Sequence, residues 1–285
     1  LPTLYWNINH EFATFKHVAT QTINSGKAHP FDFFIAQVGL FFPVFFVFLV
    51  VSFFKISKQP KSLKFITAWT FVFFFVYMTL AFFKKMPANW VVFAYPLAAV
   101  AVGWAISKEW LKWGVLMSII LSLCSLFLPL AQEKDLNIPY SINPLKTYLG
   151  WSNLKAALEK SGYDPNKDVL ISDRYQTCSL ISFYSDKQQR SYCINLGKRR
   201  KNQFSYWPKL QKGANGYFVL IEEKQKNALE PTITKFTNYL NPYFEKIAKV
   251  DTYPLFSVGG QPVKWAVIFK VEGYTGLEPE EVNSY

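Results

Sequence analysis

The chain has 285 residues, with 31 Lys and Arg against 19 Asp and Glu, a formal charge of +12, and aromatic side chains make up 19% of it. Aromatic content this high excludes a disordered or tail-like chain, because such chains are poor in these residues. The distribution excludes a single soluble globule: residues 31–83 hold 17 of the 28 Phe, whereas residues 132–285 hold 37 of the 50 charged side chains.

The opening stretch, Leu1-Pro2-Thr3-Leu4-Tyr5-Trp6-Asn7, predicts a loop. It carries neither an initiating Met nor a signal peptide, so the chain reads as the later part of a longer protein. Phe12, Phe15, Ala19 and Ile23 follow at helical spacing on one face, which predicts a short helix lying on a membrane surface within residues 1–30.

Residues 31–132 read as a transmembrane region. A hydrocarbon core of about 30 Å takes roughly 20 apolar residues in a helix. Four uncharged windows meet that length: Phe33–Phe54, Phe65–Phe83, Met86–Ser107 and Trp113–Gln132. Pro43 and Pro96 fall inside spans, where neighbouring helices can satisfy the freed carbonyls. The Lys bias of the short loops sets the orientation. Lys55, Lys58, Lys61, Lys64, Lys108 and Lys112 share one side, and only Lys84 and Lys85 stand on the other. The Lys-rich side is therefore expected to be cytoplasmic, with residues 1–30 and 133–285 outside.

From residue 133 short elements alternate. Helices are expected over Trp151–Lys160, Tyr175–Tyr184 (capped by Asp173, with Leu180, Ile181 and Phe183 inward) and Pro231–Leu240. Strands are expected at Val169–Ser172, Tyr192–Asn195 and Tyr217–Glu222, with a closing pair, Lys246–Leu255 and Trp265–Val271, joined through Gly259-Gly260. The fold class is thus a membrane α-helical bundle of four transmembrane helices followed by a small soluble α/β domain with a frayed tail. Cys178 and Cys193 fall in the outer domain, where pairing is open.

No phosphate-binding loop, dinucleotide fingerprint, nucleophile elbow or zinc-protease motif occurs. His10, His17 and His29 lack metal-ligand spacing, so no metal and no cofactor is called for. Three segments remain. Trp6-Asn7-x-Asn9-His10-Glu11 is either an interfacial Trp anchor or a ligand contact. Lys84-Lys85-Met86-Pro87-Ala88-Asn89-Trp90 runs against the charge rule. Its two Lys either snorkel to headgroups or clamp a phosphate at the membrane edge, with Asn89 adding a hydrogen bond and Trp90 a platform. Lys198-Arg199-Arg200-Lys201 is either a solvated loop or a contact for anionic headgroups or a phosphorylated lipid acceptor. Nucleic acid is implausible outside the membrane.

Taken in order, several segments carry a resemblance: Pro2-Thr3-Leu4-Tyr5-Trp6-Asn7, Lys85–Trp90 with Tyr95-Pro96, Trp151-Ser152-Asn153-Leu154, Asp173-Arg174-Tyr175-Gln176, Phe183-Tyr184 and Arg200–Trp207. The chain resembles the C-terminal part of bacterial membrane glycosyltransferases of the dolichyl-phosphate-mannose–protein mannosyltransferase-like family, the GT-C group that includes the aminoarabinose lipid A transferases. The resemblance implies transfer of a sugar from a polyprenyl-phosphate donor to a lipid or glycan acceptor at the outer face of the bacterial inner membrane. The family's catalytic base is an acid in the first outer loop, and no position here matches it; Glu11 and Asp32 do not sit in that motif. Lys84 or Lys85 would neutralise the donor phosphate. Trp6, Asn7, His10, Asn89 and Trp90 would contact substrate, and Arg199 and Arg200 the acceptor or headgroups. The other readings are a non-catalytic membrane-anchored module whose outer domain binds glycan or protein, and part of a lipid transporter, although no charge lies inside a span to mark a path.

Overall fold

The computed structural model describes residues 2–16, 19, 29–134, 138–197 and 201–281. It divides into two compact units, Leu1–Cys124 and Ser125–Tyr285.

The described part of the first unit is helical. The opening segment is helix α1, Pro2–Asn9, where a loop was expected. Pro2 explains the difference, since proline is well placed in a helix's first turn, where its missing N–H costs nothing. Phe12 and Phe15 beyond it are exposed, and Ile23 of the expected surface helix lies outside the described residues.

Among the described residues, three helical stretches are long and apolar enough to cross a membrane: Lys61–Phe83, Ala88–Ala105 and Lys108–Glu133. The first is α4; the second joins a tight 3₁₀ turn, Ala88–Ala94, to α5 (Tyr95–Ala105); the third is α6. The expected first span is instead two helices, α2 (Pro30–Leu40) and α3 (Pro43–Phe54), bent by 100°. Pro43 has no N–H for the Gly39 carbonyl, and its ring would collide with that carbonyl in a continuous helix. The Gly39 carbonyl accepts from Phe42 N instead, and Phe42 adopts φ 62°, ψ 134°. A non-glycine residue held there costs about 1–3 kcal/mol.

Two hydrogen bonds define the path of the bent pair. Gln37 Nε2 donates to the Ala88 carbonyl at 2.9 Å, and Lys55 Nζ donates to the Ala105 carbonyl at 2.8 Å. From Gln37 to Lys55 the pair therefore follows the 88–105 stretch from one end to the other. Phe33 packs with Ala81, Met86, Val91 and Ala94 near the first end. Leu49 packs with Ala98 and Val102 farther along. Alanines at 94, 98, 101 and 105 recur at about one helical turn and are buried, which lets the helices approach closely.

The second unit holds a mixed five-stranded sheet of order β2-β1-β3-β5-β4. Its strands are β1 (Val169–Ser172), β2 (Tyr192–Cys193), β3 (Gly216–Glu222), β4 (Phe244–Val258) and β5 (Gln261–Tyr274). β1 is parallel to β2 and β3, and β5 is antiparallel to β3 and β4. Helices cover both faces, so β3 reads as an unbroken apolar run. Phe218 and Leu220 face Phe236 and Leu240 of α10 (Glu230–Leu240), while Tyr217 and Val219 face Leu154 and Leu158 of α7 (Leu154–Ser161) and Ile181 of α8 (Tyr175–Tyr184). Two expectations need correction. Asp173 is not the cap of α8: Arg174 holds that position without a side-chain cap, and Asp173 is buried at the end of β1. Phe183 points outward, and Cys178 and Ile181 form the buried face of α8 instead.

Candidate functional site

The Lys84–Trp90 segment is a connection held at both ends. Helix α4 stops where Lys84 N donates to the Leu80 carbonyl at 3.1 Å and Lys84 adopts extended dihedrals. Met86 is buried under the segment, and Trp90 N closes the next turn on the Pro87 carbonyl at 3.2 Å. The resulting arrangement leaves Lys85 and Asn89 exposed and Lys84 and Trp90 half-buried. Both Lys follow the carbonyl end of a 23-residue helix. The partial negative charge there favours a cation by about 0.3–1 kcal/mol, so helix electrostatics accounts for part of their presence.

Gln37 braces this segment. Its Nε2 reaches the Ala88 carbonyl, and its Oε1 accepts from Tyr95 Oη at 2.7 Å, so one side chain 2% exposed fixes both the start of the 3₁₀ turn and the start of α5. Sequence reasoning passed over Gln37. The available signal was a lone amide inside an otherwise apolar run, two residues before Gly39. A buried amide among apolar side chains persists only when its polar atoms are bonded.

Gln37 also lines an apolar cleft of about 610 Å³ in the first unit. Phe33 and Phe46 of the bent pair, Phe53 at its end, and Phe71 and Phe75 of α4 form its walls. Apart from the weakly accepting thioether of Met78, Gln37 is the one side chain among the cleft's lining residues that can hydrogen-bond. The cleft is therefore suited to hydrocarbon over most of its length and meets a polar group only where the Lys84–Trp90 segment is anchored.

The Trp6 group is organised around Asn7. Asn7 is fully buried: its Nδ2 donates to the Thr3 carbonyl at 2.8 Å and its Oδ1 accepts from Thr14 N at 3.0 Å. Its own carbonyl accepts from His10 N and Phe12 N at 3.2 and 2.7 Å. Asn7 thus locks a tight turn in which Glu11 and Phe12 take φ 54° and 57°. His10 stacks on Trp6 with centroids 4.2 Å apart and planes 8° apart. His10 Nδ1 lies 2.8 Å from the Trp6 carbonyl, and because a carbonyl only accepts, Nδ1 carries the proton. The structure brings Trp6, Asn7 and His10 together in this turn, and Lys84, Lys85, Asn89 and Trp90 together in the other segment.

Arg199 and Arg200 lie outside the described residues. The motif that follows them is a helix cap. Asn202 Oδ1 accepts from Phe204 N at 2.9 Å, and Ser205 Oγ accepts from Asn202 N at 3.1 Å, starting the one-turn helix α9 (Gln203–Tyr206). Arg190 lies over Trp207, 5.1 Å from its centroid. Cys178 and Cys193 are free thiols. Burial is the main cause that raises the Cys178 pKa.

Among the described residues, the second unit contains one buried amine. Lys264 on β5 is 1% exposed, donates to the Lys146 and Thr147 carbonyls at 3.3 and 2.9 Å, and lies over the Trp151 ring at 5.3 Å. Desolvation lowers its pKa from 10.5 to about 8, against a smaller opposing effect of Glu223 at 4.0 Å. Burial first, and Glu223 second, raise the Tyr140 pKa. Tyr140 Oη donates to the Lys146 carbonyl at 3.0 Å. These bonds tie residues 140–151 to the sheet.

No family model matches the chain, and no solved structure matches it. The chain is similar to the lipid A galacturonosyltransferase RgtD of Rhizobium johnstonii, with 26% identity over 202 residues. The match takes in 67% of this chain and 42% of the relative, so the chain spans less than half of the relative's length. The likeness is thus to a glycosyltransferase, in a chain whose first unit carries helices apolar enough for a membrane.

Proposed function

We propose that the chain is the C-terminal segment of an integral-membrane glycosyltransferase of the GT-C type, moving a sugar from a polyprenyl-phosphate donor to a lipid or glycan acceptor at the outer face of a bacterial inner membrane. The observation that carries this reading is the double role of Gln37, whose side chain lines the apolar cleft while its amide braces the basic segment through Ala88. A polyprenyl phosphate needs both parts: hydrocarbon walls for the isoprenyl chain and a cation where the chain meets its phosphate. The likeness to a lipid A glycosyltransferase supports the reaction class.

In this reading Lys85, exposed three residues before the Ala88 carbonyl that Gln37 holds, meets the donor phosphate, and Lys84 adds charge from its half-buried position. As the sugar leaves, negative charge develops on the phosphate, and a fixed cation near the low-dielectric membrane edge stabilises it more strongly than the ground state. Asn89 supplies a neutral hydrogen bond and Trp90 an aromatic face. Trp6 and His10 present a stacked surface to the substrate, and Asn7 positions them. Arg199 and Arg200 take the acceptor or headgroups. The base that deprotonates the acceptor comes from outside this segment. Full-length protein in nanodiscs, supplied with polyprenyl-phosphate carrying a radiolabelled sugar, is expected to move label into membrane lipid or glycan. Label that stays on the donor with every lipid and glycan acceptor offered would overturn the reading.

A further inference from the structure

The second unit has a crevice at the point where its strand order reverses. β1 and β3 are adjacent and parallel. β1 leaves through α8, on one face, to reach β2 on its far side. β3 leaves through α10, on the other face, towards β4 and β5. Two neighbouring strands whose exits diverge leave an opening outside their carboxyl ends, which is where open α/β sheets bind ligands. An opening of about 470 Å³ lies there, floored by Asp173 after β1 and Glu222 at the end of β3 and walled by α10. That volume falls within the usual range for small-molecule sites.

The lining has a definite chemistry. Asp173 is 2% exposed, with Arg174 Nε 3.8 Å from its carboxylate. Glu222 is 3.0 Å from Lys224, whose Nζ also donates to Thr232 Oγ1 at 2.8 Å. The lining therefore offers both acceptors and donors, as a polyhydroxylated ligand requires. Tyr239 is 41% exposed and gives an aromatic face for the C–H side of a sugar ring. The ring is capped by Lys235, whose Nζ lies 5.5 Å from the centroid, and among the described residues no acid pairs with Lys235. Among the described lining residues three cations thus stand against two carboxylates, a surplus of one positive charge.

We infer that this crevice binds a saccharide bearing one negative group, with the ring on Tyr239 and the anion at Lys235. The inference stands apart from the transferase reading, because binding is measured without turnover. Glucuronate, glucose and acetate titrated into the full chain in detergent, followed by calorimetry, form the test. Glucuronate is expected to bind saturably, at least five-fold tighter than glucose or acetate. Lys235→Ala is expected to bring glucuronate down to the affinity of glucose, and Lys235→Arg to restore the difference. Tyr239→Ala is expected to weaken both sugars. Lys235 and Tyr239 are exposed, so these variants leave the core intact. Glucuronosyl diacylglycerol in phosphatidylcholine vesicles, used as competitor, separates the two sources: displacement of glucuronate supports a lipid-borne saccharide, and no displacement supports a free one. Equal affinity for acetate and glucuronate, or glucuronate binding that Lys235→Ala leaves unchanged, would overturn the inference, as would no binding at all.

Discussion

Gln37 and Ala88, 51 positions apart in the chain, are joined by a side-chain amide that donates to a backbone carbonyl at 2.9 Å. This bond couples the broken helix pair to the segment that carries Lys84 and Lys85. Gln37→Leu keeps the volume but removes the donor to Ala88 and the acceptor for Tyr95. Leaving buried polar groups unpaired costs about 1–3 kcal/mol each. The variant is expected to unfold at lower temperature in detergent and to raise the apparent KM for donor with a smaller change in kcat. A wild-type melting temperature would show that the amide does not brace the segment.

Lys264 makes the second unit's stability depend on pH. Its folded pKa, about 8, lies below the ordinary lysine value of 10.5. Between these values the unfolded chain binds more protons than the folded one, so stability rises with pH across that window. The gain is present in full above the unfolded value and lost as pH falls through about 8. The separation corresponds to at most about 3 kcal/mol. Pulse proteolysis of the full chain in urea, run at each pH beside Lys264→Met, should show a rising midpoint for the wild type that the variant lacks. Parallel slopes would contradict it.

Gly216 opens β3 against β1, and a Cβ there would meet the Val169 carbonyl oxygen at 2.2 Å. Neither strand can yield without breaking the ladder that pairs Val169 with Gly216. Gly216→Ala is expected to destabilise the second unit by about 3 kcal/mol or more. The same proteolysis measurement reads this as a lower urea midpoint. An unchanged midpoint would mean the two strands separate at that end in solution.

Much of the architecture was legible in the residues. Val169–Ser172 and Tyr175–Tyr184 stand where the apolar runs and turn residues put them, and the Gly259-Gly260 turn joins β4 to β5. Long uncharged windows located the apolar helices, because bilayer thickness sets a length that composition alone can reveal. The break at Phe42 was harder to see. Pro43 marked a possible kink, but a 100° turn depends on Phe42 accepting positive φ, which no propensity anticipates. Side-chain roles were less legible still. Asp173 has the residue type of a cap and is instead buried at a strand end, and Asn7, expected as a substrate contact, is buried as the hub of a turn. Of the candidate site, the basic pair was visible as an exception to the charge rule. Gln37 was not, because a single amide in an apolar run acquires meaning only when its partner 51 residues away is known.

Sugar transfer in the full-length protein tests whether Lys85 serves a polyprenyl-phosphate donor. Wild type, Lys85→Ala and Lys85→Arg would be compared at equal amounts of folded protein, with labelled polyprenyl-phosphate sugar and membrane lipid as acceptor. Loss of one group that stabilises developing charge typically costs about 10²–10³ in kcat. A loss on that scale is expected for Lys85→Ala, with partial recovery in Lys85→Arg. Transfer by Lys85→Ala at the wild-type rate would contradict it.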